Sequence, residues 1–216
     1  MSAATDKIFV PILLKGITLQ AEATVELGKS AALSVTYDPA NASDKTGIWS
    51  TSNDKVATVK DGTITGVGQG TATIKFVTTD GGFEKTCTVT VVKKMAAPVV
   101  TAQKTQGESI LVSWAAVEGA SGYVIYRSVD GGADEGVSGA EFATEDGTVT
   151  YEDTDVEQGK TYSYTVEAKP AQYYLAGGKS AATTAVRIPV LVQEITLDKD
   201  VCEMKPGEEI TLEATI

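Results

Sequence analysis

A chain of 216 residues has room for one to two domains, enough for two small cores of about 90 residues each. The net charge of −11, with arginine only at positions 127 and 187, argues against a nucleic-acid surface or an anionic membrane surface, both of which need clustered Lys and Arg. Histidine is absent and the only cysteines are Cys87 and Cys202, which excludes Ser-His or Cys-His catalysis and any zinc site of Cys and His within the chain.

Residues 1–13 read as an N-terminal arm. Its apolar run, Ile8 to Leu14, is too short to span a membrane and contains Pro11. One basic residue precedes that run and no small-residue cleavage site follows, so it does not read as a signal peptide. Two routes stay open: a signal removed earlier, or a virion protein released by lysis. From Ile17 onward, short segments alternate with period two and are separated by turn residues. Trp49 opens a core-facing strand, and Val56, Val59, Ile64 and Val67 follow it. Asp61-Gly62 predicts a two-residue hairpin with φ > 0 at both positions. Gly70 precedes the strand Thr71–Phe76, and Asp80-Gly81-Gly82 turns into Thr86–Val92. About seven strands in about 80 residues predict a sandwich, because each sheet has one apolar face to bury.

This first module, residues 14–92, resembles the bacterial immunoglobulin-like domain of group 2. The resemblance rests on Trp49-Ser-Thr-Ser-Asn53, Val56-Ala-Thr-Val59, the Gly62 turn, Gly70-Thr-Ala-Thr-Ile74 and Cys87-Thr-Val-Thr-Val91. It implies a building block of surface proteins, adhesins, polysaccharide-degrading enzymes or phage structural proteins, with no catalytic residue to carry over. Residues 93–97 form a short basic linker, and Pro98 opens the next module. There Ile110, Val112 and Trp114 alternate, Tyr123, Ile125 and Arg127 share a face, and strands are predicted over 161–168 and 181–186. Residues 98–188 resemble a fibronectin type III domain. Gly159 ahead of Tyr162 matches that family's tyrosine corner, in which the phenol hydroxyl bonds back to the chain. The Tyr126–Ser128, Asp130–Gly132 and Tyr151–Asp155 runs are closest to the fibronectin modules attached to bacterial carbohydrate-active enzymes.

Residues 189–216 repeat the opening of the first module. Gln193-Glu-Ile-Thr-Leu197 echoes Lys15-Gly-Ile-Thr-Leu19, and the run Pro206–Ile216 echoes Leu27–Tyr37. The expectation is two strands of a partial third immunoglobulin-like domain from a longer array. The alternatives are a strand pair donated to a neighbouring molecule and docking on the preceding module.

Candidate sites are few. Tyr173 and Tyr174, in a loop before the last strand, are candidate ligand contacts for a sugar, or else an insertion packing on its own module. Cys87 and Cys202 are candidate intermolecular thiols, with Cys87 otherwise a small buried hydrophobe. Ten carboxylates fall between residues 130 and 157, which raises calcium against the alternative of a solvated acidic face. Paired carboxylates that numerous reach glycosidase spacing by chance, so they do not argue for an enzyme.

The whole predicts an all-β chain of tandem immunoglobulin-like β-sandwiches forming an elongated rod. Its expected role is a non-catalytic structural, adhesion or spacer segment of a bacterial cell-surface protein. The alternatives are a phage virion component and, third, a carbohydrate-binding accessory module. Expected partners are other protein domains, cell-surface or virion components or polysaccharide, with self-association through 189–216, and neither nucleic acid nor membrane.

Overall fold

The computed structural model describes residues 10–137, 139–191, 196–197, 209, 211 and 214–215, and every described element is a strand. The chain divides into two compact units. The first comprises residues 1–97 together with 117–123 and 167–178; the second comprises 98–116, 124–166 and 179–216.

The first unit begins with β1 (Gly16–Leu19), β2 (Glu22–Glu26), β3 (Ser30–Ala32), β4 (Val35–Asp38) and β5 (Gly47–Thr51). It continues with β6 (Ala57–Lys60), β7 (Thr63–Gly66), β8 (Gly70–Thr78) and β9 (Glu84–Lys94). One sheet runs β3-β7-β6; β5 and β8 extend a second from β9, and β2 joins β9 in parallel. The β6–β7 hairpin turns at Asp61 and Gly62, with φ of 49° and 77°, as the dipeptide requires. Alternation does the rest: Ala72, Ile74 and Phe76 on β8 and Cys87, Val89 and Val91 on β9 all point inward. Ala72, Ile74, Cys87, Val89 and Val91 form the first core with Val25, Leu33, Ala57 and Ile64, and Trp49 packs against it.

The second unit is built on β10 (Val100–Lys104), β11 (Ile110–Ala115), β12 (Ala120–Val129), β13 (Glu135–Gly136) and β14 (Ala143–Glu145). β15 (Thr148–Asp153), β16 (Thr161–Pro170) and, after β17 (Tyr174–Leu175) of the first unit, β18 (Val186–Arg187) complete it. The sheets β10-β11-β15-β14 and β13-β12-β16-β18 enclose Ile110, Val112, Trp114, Ile125, Val149, Tyr164 and Val166. Asp146-Gly147 makes a second positive-φ hairpin, at 47° and 76°, between β14 and β15.

The last strand of this unit is shorter than its sequence predicts. Only Val186 and Arg187 pair with β16, although Ser180 N and Thr183 N still donate to Val166 O and Tyr164 O. The return bonds come from side chains: Tyr164 N donates to Thr183 Oγ1 at 3.1 Å and Val166 N to Ser180 Oγ at 2.9 Å. Buried hydroxyls thus stand in for backbone carbonyls and satisfy two interior N–H groups. Thr183→Val keeps the shape and orphans the Tyr164 N–H. It is expected to lower unfolding stability by about 1–3 kcal/mol, read by urea denaturation.

Two further strands, β19 (Thr196–Leu197) and β20 (Ala214–Thr215), pair Thr196 with Thr215 and Leu197 with Ala214. In the first unit β1 pairs Thr18 with Thr36 and Leu19 with Val35 on β4. Under the sequence repeat these are the same pairs, so the register of β1 on β4 recurs.

Candidate functional site

Period-two alternation on β15 places Val149, Tyr151 and Asp153 on one side, and on β12 it places Ile125 and Arg127 together. The strands bring Arg127 onto Asp153, whose residue is fully buried. Arg127 Nη1 donates to Asp153 Oδ1 at 3.2 Å, to Oδ2 at 3.1 Å and to the Asp155 carbonyl at 2.6 Å. Its Nη2 reaches Asp155 Oδ2 at 3.2 Å. Two more donors complete Asp153: the Asp155 N–H at 3.1 Å and the Tyr164 hydroxyl at 2.7 Å. A buried carboxylate is tolerated only when paired and hydrogen-bonded in this way.

Burial, followed by the hydrogen bond to Asp153 and its charge, pushes the Tyr164 hydroxyl far above the ordinary tyrosine value. Burial also raises Tyr151, Tyr37 and the Cys87 thiol. A raised folded-state value means that the folded chain holds its proton more tightly than the unfolded chain. The stabilisation is therefore complete below the unfolded value, about 10 for tyrosine, and is lost as pH rises above it. Stability should fall beyond pH 10 by about 1.4 kcal/mol per unit on account of Tyr164, whose shift is the large one. Denaturation at stepped alkaline pH checks this, and Tyr164→Phe should flatten the slope.

Around this network lies a cleft of about 460 Å³ within the second unit. Arg127, Tyr151, Asp153 and Asp155 line it together with Val129, Glu135 and Val137. The corner tyrosine lies nearby: Tyr162 Oη accepts the Glu157 N–H at 2.7 Å, and its ring sits 5.8 Å from the Arg127 guanidinium carbon.

The acidic stretch is divided among cations and hydroxyls from other strands. Asp130 accepts from Lys160 Nζ at 2.8 Å and from the Thr161 N–H at 3.0 Å, which hold it below the usual carboxylate range. Asp134 takes the Thr165 hydroxyl and lies 3.7 Å from Lys179 Nζ, and Glu152 takes the Ser109 hydroxyl. Among the described residues no three His, Cys, Asp or Glu side chains are grouped to hold a metal ion.

Tyr173 and Tyr174 lie in the first unit and are both half-buried. Tyr173 sits at φ 65°, with its carbonyl accepting from Gln69 Nε2 and from the Lys93 N–H, each at 2.9 Å. β17 runs parallel to β9, pairing Tyr174 with Lys93. The Tyr174 ring covers Gly119, where any Cβ would overlap it, and the hydroxyl donates to Glu118 at 3.2 Å. Glu118 in turn accepts from Lys93 Nζ at 2.7 Å. Sequence reasoning singled out the two tyrosines as ligand contacts; Tyr174 is engaged within the chain by Glu118 and Gly119. Cys87 is fully buried in the first core, where a thiol of raised pKa is poorly reactive, and Cys202 lies outside the described residues. The Arg127–Asp153 pair was missed because Asp153 reads as one carboxylate among ten. Alternation with Val149 and Tyr151 places Asp153 on the inward face of β15 but does not point to its partner.

Among solved structures, bovine butyrophilin is 12% identical and aligns over 82% of this chain and 96% of its own, with a TM-score of 0.45. A titin fragment of three immunoglobulin domains is 13% identical over 92% of this chain and 83% of its own, with a TM-score of 0.43. The surface layer protein SbsC, domains 4-9, is 18% identical over 90% of this chain, which covers 34% of that one, with a TM-score of 0.34. No curated protein sequence matches the chain. The family model of the bacterial Ig-like domain, group 2, matches residues 14–89. The strands β1 to β9 and the first core fall almost wholly inside that span, and residues 14–89 are a bacterial Ig-like domain of group 2.

Proposed function

We propose that the chain is a non-catalytic structural or adhesion segment of a protein displayed on a bacterial surface. The observation that carries this reading is the group 2 Ig-like domain at residues 14–89. A second sandwich core in the same chain and the pairing of β19 with β20 in the register of β1 with β4 support it, because repeated sandwiches supply length and presentation. The net charge of −11 suits a surface kept soluble and free of self-association. The test is antibody labelling of intact cells that express the natural protein, with permeabilised cells as the comparison. Labelling of intact cells at the level of permeabilised ones is the expected result. Signal confined to permeabilised cells, or to released phage particles, would overturn it.

A further inference from the structure

We propose that the cleft beside Arg127 and Tyr151 in the second unit binds a neutral saccharide. This inference stands apart from surface display and uses only the second unit.

The cleft, at about 460 Å³, falls within the ~300–1,000 Å³ typical of small-molecule sites. Gly132, Ala133 and Gly136 are among its lining residues and fill little of it, since none carries a side chain beyond Cβ. The apolar contribution comes from the half-buried Tyr151, packed at 6.2 Å on Phe142, and from Val129 and Val137. A ring of this kind offers the C–H face of a sugar a flat, desolvated contact.

The polar groups decide the ligand class. Asp153 is saturated by its four hydrogen bonds and acts as the anchor that fixes Arg127. Arg127 spends Nη1 and one Nη2 hydrogen on these carboxylates and the Asp155 carbonyl, leaving Nε–H and a second Nη2 hydrogen as donors. The Tyr151 hydroxyl has no intramolecular hydrogen bond among the described residues and serves as donor or acceptor. Asp155, with its side chain 93% exposed, and the exposed Glu135 supply acceptors. Asp153 offsets the Arg127 charge, so the accessible charge is that of Asp155 and Glu135, which disfavours an anion. The remaining Arg127 donors beside those acceptors suit a ligand that both donates and accepts. A polyhydroxylated neutral molecule pairs with both kinds of group at once. Arg127 arrives already oriented by Asp153, so little ordering entropy is lost on binding.

The experiment titrates the full chain with soluble oligosaccharides of cellulose, xylan, mannan, chitin and starch, followed by calorimetry and by amide chemical shifts. Oligogalacturonate and oligolysine serve as charged probes. At least one neutral oligosaccharide is expected to bind saturably and to shift the resonances of Tyr151 and Val137. Tyr151→Phe and Glu135→Gln are each expected to weaken that binding about fivefold, with thermal unfolding unchanged. The proposal is overturned if no neutral oligosaccharide saturates at millimolar concentration, if only a charged probe binds, or if both variants bind as the parent does.

Discussion

Asp153→Ala is expected to cost about 3–5 kcal/mol of unfolding stability. The carboxylate is fully buried and receives the Arg127 guanidinium, the Asp155 N–H and the Tyr164 hydroxyl. Its removal leaves the guanidinium, whose side chain is 23% exposed, held only by Asp155, and leaves the hydroxyl of a fully buried tyrosine without its acceptor. Each group that loses its partner then bears its own desolvation cost, which exceeds the net value of the bonds themselves. Adding Arg127→Met to Asp153→Ala should recover part of the loss, because the part-paired charge goes too. Trp114, buried in the second core, reports the transition by fluorescence in a Trp49→Phe background. A loss below about 1 kcal/mol for Asp153→Ala would mean that the network contributes little.

Ile74→Ala is expected to cost about 2–5 kcal/mol, from lost apolar burial and from the cavity left behind. Ile74 is fully buried on β8, pairs with Cys87 of β9 and belongs to the cluster of Val25, Ile64, Val89 and Val91. These neighbours lie on strands of both sheets, so relaxation into the cavity is limited. Trp49 packs against this cluster and stacks at 4.5 Å on Phe76, so it is the reporter in a Trp114→Phe background. Ile74→Val, which removes a single methylene, should cost about 0.5–1.5 kcal/mol and so separates cavity formation from misfolding.

Much of this architecture is legible in the chain. Two-residue turns are dictated by backbone sterics, so Asp61-Gly62 fixes the β6–β7 hairpin, and Asp146-Gly147 does the same for β14–β15. Alternation alone places Ile110, Val112 and Trp114 in the second core. The Gly159–Tyr162 spacing anticipates a hydroxyl bonded back to the chain, found at the Glu157 N–H. What stays hidden is long-range and polar. The Arg127–Asp153 pair joins positions far apart in sequence, and no local signal separates Asp153 from its exposed acidic neighbours. The segment 181–186 carries β-favouring residues, yet Ser180 and Thr183 hydroxyls replace part of its ladder, a competition that propensity does not resolve. The parallel pairing of β2 with β9 comes from closure of the sandwich, to which period-two patterning is blind.

Two separate cores in one chain should show themselves under force. Pulled by its ends in an optical trap, the chain is expected to unfold in two discrete steps. Each should release about 300–320 Å of contour length, given ~3.3–3.6 Å per extended residue and about 90 residues per core. Ile74→Ala should weaken one step and Asp153→Ala the other. A single step releasing the whole length, or extension without a resolved step, would contradict the account.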